Sequence, residues 1–552
     1  MIALRSACLL ALLALPNPAL GDVLVDNING ITIGQDGDID RFTGLWIDDG
    51  GRIRQVLDDG DERPLETDFY YDGEGLTVLP GMIDSHVHVI SLGLSEMVLD
   101  LRDTRSLDEA LEKIARFAAD NPSRPWIIGQ GWNHELWGLG RFPSAAELDN
   151  IVPDRPVWLE RIDGHAGWAN SKAMDLAGVT PGTKDPEGGR IERVGKSLVP
   201  MGVFVDKASA LITTVVPPPR PAERDAALQN AQKRLLSLGV TAVADMGTSI
   251  EDWHTFRRAG DRGELKLRIM AYSGDADAME MIGGATERPW LYDNRLRLNG
   301  LKVFLDGALG SRGAWLKQPY ADDPGTTGLP AMSGARLRNL MSRATLGGYQ
   351  VAVHSIGDAA NAEVLGAIEE LAASFPGDRR WRIEHVQHVD PDDISRLGQL
   401  GIIASMQPLH MSSDRLMAEK RLGPDRLAGS YAWRSILDAG GTLAFGSDAP
   451  VEVPDPFAAM AVAVSRRDAT GAPDGGWLPD ETIGLAEVLA AYTADAAKAG
   501  FADGRFGRLI AGESADFVII DRDPFTTSAA QIRETKVHET WIGGEPAFRA
   551  GN

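Results

Sequence analysis

The chain has 552 residues, too many for one hydrophobic core, so two or three domains are expected. Hydrophobic residues make up 43% and charged residues 24%, ordinary globular values that argue against a disordered or fibrous chain. The formal net charge of −24 argues against nucleic acid or an anionic membrane as partner, since both need basic patches.

The chain begins as a secretory signal would. Arg5 gives a short basic region, the run from Cys8 to Leu15 is apolar, and Pro16 and Pro18 end it too early to span a bilayer. The run Ala19-Leu-Gly21 supplies small residues, Ala19 and Gly21, for cleavage before Asp22, so residues 1–21 are expected to be removed and the protein to act in the periplasm or outside the cell. Cys8 is the only cysteine, so the mature chain would carry neither thiol nor disulfide.

Residues 22–79 are short strand candidates separated by turns such as Asp36-Gly37 and Gly50-Gly51. Residues 505–552 have the same texture, which suggests one composite β-sandwich built from both ends of the chain. Between them, residues 80–504 hold eight strand candidates: 76–88, 240–247, 265–273, 298–305, 350–356, 380–387, 401–408 and 442–448. From the second onward the spacing fits βα units, with helical patterns such as 359–374 intervening. This predicts an α/β chain with a (β/α)8 TIM barrel. The first gap is too long for one helix, so residues 100–225 are predicted to be an inserted α+β domain. It carries a helix over 107–120, strands over 126–131 and 156–161, and the Pro-rich exit Pro217-Pro-Pro-Arg-Pro221.

The candidate chemistry lies at the ends of those strands. His86 and His88 in Gly81-Met-Ile-Asp-Ser-His86-Val-His88 share a strand face, so both imidazoles can grip one ion. His354 in Val-His-Ser-Ile-Gly-Asp and His385 in Arg-Ile-Glu-His-Val-Gln each close a later strand, and neutral imidazole suits zinc. Asp448 in Phe-Gly-Ser-Asp-Ala-Pro closes the eighth. It reads either as a turn aspartate or as a carboxylate that touches metal and moves the proton of a bound water. Lys302 in Gly-Leu-Lys-Val-Phe-Leu-Asp-Gly is an awkward ligand, because an ammonium has no lone pair; on the residues alone, a pair with Asp306 explains it better. Asp84 is expected to orient a ligand rather than to be one. His388 is read as a supporting or structural residue, and His134, His254, His410 and His538 receive no role. The tryptophans 132, 137, 158 and 168 are expected to pack the insertion's core, some of them lining a substrate pocket.

In this order and spacing the constellation resembles the amidohydrolase superfamily, in the branch of YtcJ-like and N-substituted formamide deformylase-like enzymes (amidohydrolase family 3). The likeness spans nearly the whole mature chain. It includes Asp163-Gly-His165 with Asn170-Ser171, Asp306-Gly307 with Gly310-Ser-Arg312, Tyr320-Ala-Asp-Asp, Tyr492-Thr493, and the closing run from Gly507 to Asp516. The resemblance implies one or two divalent ions, zinc the expected metal, with His86 and His88 on one, His354 and His385 on the other, and Asp448 as ligand and base. It reverses the reading of Lys302, which would react with carbon dioxide and bridge the ions as a carbamate. His165, from the insertion, is either structural or a catalytic donor to the substrate carbonyl. D-aminoacylase-type relatives place a cysteine near the site, and this mature chain has none.

The expected activity is hydrolysis of a non-peptide C–N bond in an amide, N-acyl compound or formamide by metal-activated water. The alternatives are an esterase or lactonase on the same site, or a binding protein without turnover, which would have no use for a proton carrier such as Asp448. The expected partner is a small-molecule amide, with nucleic acid and membrane excluded and a homodimer left open.

Overall fold

The computed structural model describes residues 21–162, 166–186, 189–284 and 289–551. The chain divides into two compact units, residues 1–92 with 228–552, and residues 93–227.

The first unit contains an eight-stranded parallel sheet. Its strands are β1 (Met82–Val87), β2 (Val240–Thr248), β3 (Arg268–Ser273), β4 (Leu296–Phe304), β5 (Gln350–Ser355), β6 (Arg382–His385), β7 (Ile403–Met406) and β8 (Thr442–Phe445). Their spatial order follows chain order. The expected run 76–88 is two strands: Thr77–Pro80 joins a different sheet, and the chain turns at Gly81 into β1. The seventh is shorter than expected, because Pro408 opens the helix Pro408–Leu422. Proline fits a first helical turn, where its missing N–H has no partner to lose.

The sheet closes on itself between β1 and β8. The Asp448 N–H donates to the His86 carbonyl at 2.6 Å, and the His88 N–H to the Ala449 carbonyl at 2.9 Å. The buried Asp84 carboxylate locks this seam by accepting the Ser447 N–H (2.9 Å), the Ser447 hydroxyl (2.5 Å) and the His86 N–H (3.1 Å). A Cβ on Gly446 would lie 2.5 Å from the His86 nitrogen, so only glycine lets the strands approach this closely.

Beside the barrel lies a six-stranded sheet from both ends of the chain: Asn29–Ile33, Ile39–Phe42 and Thr77–Pro80 with Phe517–Ile520, Val537–Ile542 and Glu545–Arg549. A four-stranded sheet (Val23–Asp26, Gly44–Ile47, Ile53–Leu57, Phe69–Asp72) shares its core through Val25, Leu45, Ile47, Phe517 and Trp541. The composite sandwich expected from the two ends is present.

The second unit, residues 93–227, has its own six-stranded mixed sheet and the helix Leu107–Asp120, capped by the Ser106 hydroxyl accepting the Glu109 N–H. Trp132 and Trp168 are fully buried in one of its cores and Trp158 in the other. Among the described residues no helix is long and apolar enough to cross a membrane.

Candidate metal centre

Parallel strands in register bring their carboxyl ends to one level. His354 of β5 lies opposite Phe304 of β4 and Glu384 of β6, and His385 lies opposite Ser355. His86, Lys302, His354, His385 and Asp448 meet inside this end, with His88 one residue past β1. The His86 and His385 rings are 4.8 Å apart, and those of His354 and His385 4.4 Å.

Asp448 Oδ1 is 3.1 Å from His88 Nε2 and 3.4 Å from His86 Nε2. That oxygen is buried and has no hydrogen-bond partner among the described residues, as is true of His354 Nε2. Unprotonated imidazole nitrogens and a carboxylate oxygen repel one another at such separations. Zinc–ligand bonds of about 2.0–2.1 Å place neighbouring ligand atoms of a tetrahedron roughly 3.3 Å apart. The donor set therefore fits a divalent cation. His86, His88 and Asp448 form one candidate group of ligand atoms within 4.8 Å of each other, and His385, His410 and Asp448 form another.

The electrostatics agree with that fit. Burial, reinforced by the charge of Lys302, pushes His86 down to about 4 and His354 down to about 3, so both offer free lone pairs at neutral pH. Burial by itself would raise Asp448, but the neighbouring histidines, His86 foremost, hold it well below the usual carboxylate range.

Lys302 is buried, with Nζ 3.2 Å from His86 Nε2 and 5.0 Å from the centre of the Phe304 ring. Burial lowers its amine to about 8, against the opposing pull of Glu384 and Asp448. It does not pair with Asp306. That carboxylate instead accepts the backbone N–H groups of Trp315, Ile356 and Gly357 at 2.9–3.0 Å. The reading of Lys302 as a strand-end lysine paired with Asp306 is thereby removed.

Behind the imidazoles stands a layer that sequence reasoning missed. Glu384 Oε2 lies 2.7 Å from His86 Nδ1, and the buried Arg382 donates to Glu384 Oε1 at 2.6 Å, to the Ser405 hydroxyl and to the Ser85 carbonyl. His385 Nδ1 is 2.9 Å from Gln407 Oε1. Each contact engages Nδ1 and leaves Nε2 for the centre, the usual way an outer carboxylate or amide fixes an imidazole ligand. Asp84, expected in that role, acts on the His86 backbone instead. His388 is held by Ser430 through Nδ1 at 3.0 Å. Asp163, Gly164 and His165 lie outside the described residues, as do residues 1–20 with Cys8 and most of the expected signal segment.

Backbone conformation explains why Glu384 was overlooked. Consecutive strand residues normally face opposite ways, yet Glu384 and His385 both serve this interior. His385 has φ +74° and Val386 φ +44°, so the chain leaves β6 in a left-handed turn that re-aims the imidazole. Asp448 has φ +58°. Two left-handed, non-glycine donors in one site mark strain tolerated where function needs it.

Residues 70–548 match the model of the amidohydrolase family. YtcJ of Bacillus subtilis (strain 168) is 32% identical over 482 residues, covering 86% of this chain and 89% of its own. The protein LONG AFTER FAR-RED 3 of Arabidopsis thaliana is 38% identical over 493 residues, covering 86% and 83%. N-substituted formamide deformylase of Arthrobacter pascens is 29% identical over 486 residues, covering 86% and 88%. A crystal structure described as a metal-dependent hydrolase from Pyrococcus horikoshii OT3 superposes with a TM-score of 0.77 at 28% identity, covering 92% of this chain and 99% of that one. The chain belongs to the amidohydrolase family.

Proposed function

We propose that this protein is a metal-dependent hydrolase of non-peptide C–N bonds, acting on an amide, N-acyl or formamide substrate outside the cytoplasm. The observation that carries the reading is the facing of His86 Nε2, His88 Nε2 and the unpartnered Asp448 Oδ1 in one buried cluster. The deformylase name of the Arthrobacter pascens relative supports the bond type. The Arg5, apolar-run and small-residue order of the first 21 residues supports export.

His86, His88 and Asp448 would hold one ion, His354 and His385 a second, with zinc the metal suited to this donor set. A divalent ion supplies Lewis acidity, lowering the pKa of water to about 7 and polarising a carbonyl. The remaining work falls to the protein. Asp448 accepts the proton that water loses on attack at the substrate carbonyl carbon. It returns that proton to the nitrogen as the C–N bond breaks, so the products are a carboxylic acid and an amine. The Lys302 amine, lowered to about 8, adds through its lone pair to carbon dioxide and gives up one N–H proton to solvent. The resulting carbamate turns a cation beside His86 into an anion, and two neighbouring dications would stabilise it strongly. Glu384 and Gln407 hold the imidazoles in place throughout.

The test is turnover by zinc-loaded protein against matched panels of N-substituted formamides, other amides, and esters. Release of amine that disappears on chelation and returns with zinc is the expected result. Hydrolysis of esters alone, or metal binding without turnover on any panel, would overturn it.

A further inference from the structure

His410 belongs to none of the strand ends that carry the site's other donors. It stands in the first turn of the helix Pro408–Leu422, directly after β7. Gln407 and His410 are three residues apart at this helix start, a spacing that places side chains on one face. Gln407 takes up His385 Nδ1 at 2.9 Å, and the His410 ring stacks parallel to that of His385, 16° between planes, with centroids 6.1 Å apart. His410 is nine-tenths buried, and its Nε2 has no hydrogen-bond partner among the described residues. That nitrogen lies 3.9 Å from Asp448 Oδ2, too far for a hydrogen bond.

The two Asp448 oxygens face different partners. Oδ1 is turned to His86 and His88, and Oδ2 to His410. His385, with Nδ1 engaged, has Nε2 to give. Ligand atoms of His385, His410 and Asp448 fall within 4.8 Å of one another. An uncommitted buried imidazole nitrogen is costly to leave dry and unpaired. The Nε2 of His410, the Nε2 of His385 and a carboxylate oxygen together make a chemically complete set for a borderline-soft divalent ion.

We propose that His410 is a metal ligand, holding an ion with His385 and Asp448 Oδ2, and that Asp448 is therefore shared between two ions. This rests on the metal-site reading above and adds to it a ligand from outside the strands. Carboxylate-bridged ions stand about 3.5–4 Å apart in two-metal hydrolytic sites.

The experiment needs no substrate. Full-length protein is stripped with chelator and titrated with zinc or cobalt(II). Bound metal per chain is measured by mass spectrometry and the cobalt visible spectrum recorded, for wild type, His410→Gln, His410→Ala, His410→Asp and His86→Ala. Circular dichroism melts identify the folded variants, and the near-isosteric His410→Gln stands in if His410→Ala is not among them. Wild type is expected to take up two ions. His410→Gln should lose one or bind it at least about tenfold more weakly, since even supporting residues behind a ligand are worth 10–100-fold. His410→Asp, which restores a donor, should regain it. His86→Ala should weaken the other ion and keep the His410-dependent one. Wild-type stoichiometry, affinity and cobalt spectrum in His410→Gln would overturn the proposal while leaving the His86–His88 site standing. Absence of tight metal binding in wild type would overturn the underlying reading and this one with it.

Discussion

Two buried arginine–carboxylate pairs among the described residues invite comparison, Arg268–Asp516 and Arg382–Glu384, and the second ends on an imidazole. Arg268 at the start of β3 grips Asp516 through two nitrogens, at 2.5 and 2.8 Å, and Asp516 also accepts the Ser514 hydroxyl and the Gly543 N–H. Every remaining hydrogen-bond partner among the described residues is backbone or hydroxyl, and the pair ties a barrel strand to the C-terminal part of the sandwich. Arg382 and Glu384 have the same burial and the same chemistry. There, however, one carboxylate oxygen is turned to His86 Nδ1. A buried ion pair adds little net stability over an apolar pair of equal volume, but breaking one side is costly. The first pair therefore serves architecture alone. The second converts the same cost into the aim of an imidazole.

The largest effect should come from Glu384→Gln. It leaves the Arg382 charge uncompensated and weakens the hold on His86, so stability should fall by about 3–5 kcal/mol and metal affinity by about 10–100-fold. Denaturant melts and metal titration on one sample check both; unchanged metal affinity would break the distinction between the pairs. Asp516→Asn should cost a similar 3–5 kcal/mol and leave metal affinity within about twofold, because no part of that network reaches the site. Gln407→Leu should be milder, with loss of the contact to His385 Nδ1 lowering metal affinity by roughly tenfold and stability by about 1 kcal/mol.

The last comparison is in pH dependence. His354 is held neutral down to about 3, whereas its unfolded value is near 6.5. The unfolded chain therefore takes the proton first, and neutral His354 contributes stability above 6.5 that is lost as pH falls toward 3. In metal-free protein, the stability of wild type relative to His354→Gln should decline over that window. Asp516 is held below 3.8, so its contribution is present above that value and lost only beneath it. The wild-type minus Asp516→Asn difference should stay flat from pH 6.5 to 4.5. A slope there would blur the two regions.

What the sequence revealed of this site follows from which rules the backbone obeys. His86 and His88 were legible because β1 is regular and i, i+2 residues share a face. The barrel was legible in the spacing of its strands, and the sandwich in the matching texture of the two ends. The join at Gly81 was hidden, because two apolar strands met without polar interruption. Glu384 was hidden by the left-handed turn at His385, which breaks the alternation used to assign faces. His410 was hidden because Pro408 ends the apolar run and a donor in the following helix carries no strand signature. The nearest signal was a polar residue, Gln407, closing β7 as histidines close β5 and β6.

The seam between β1 and β8 joins residues 363 positions apart. The Ser447 hydroxyl on Asp84 and the Asp448 N–H on the His86 carbonyl are also the contacts that set His86 against Asp448. Closing the barrel and facing the donors are one event. Synthesis at about 5–20 residues per second separates the two halves by roughly 20–70 s. Throughout that interval a growing chain presents His86 and His88 without their carboxylate, on a sheet whose first edge is still open. Until the eighth strand emerges, the edge of the sheet and the set of donors stay open together.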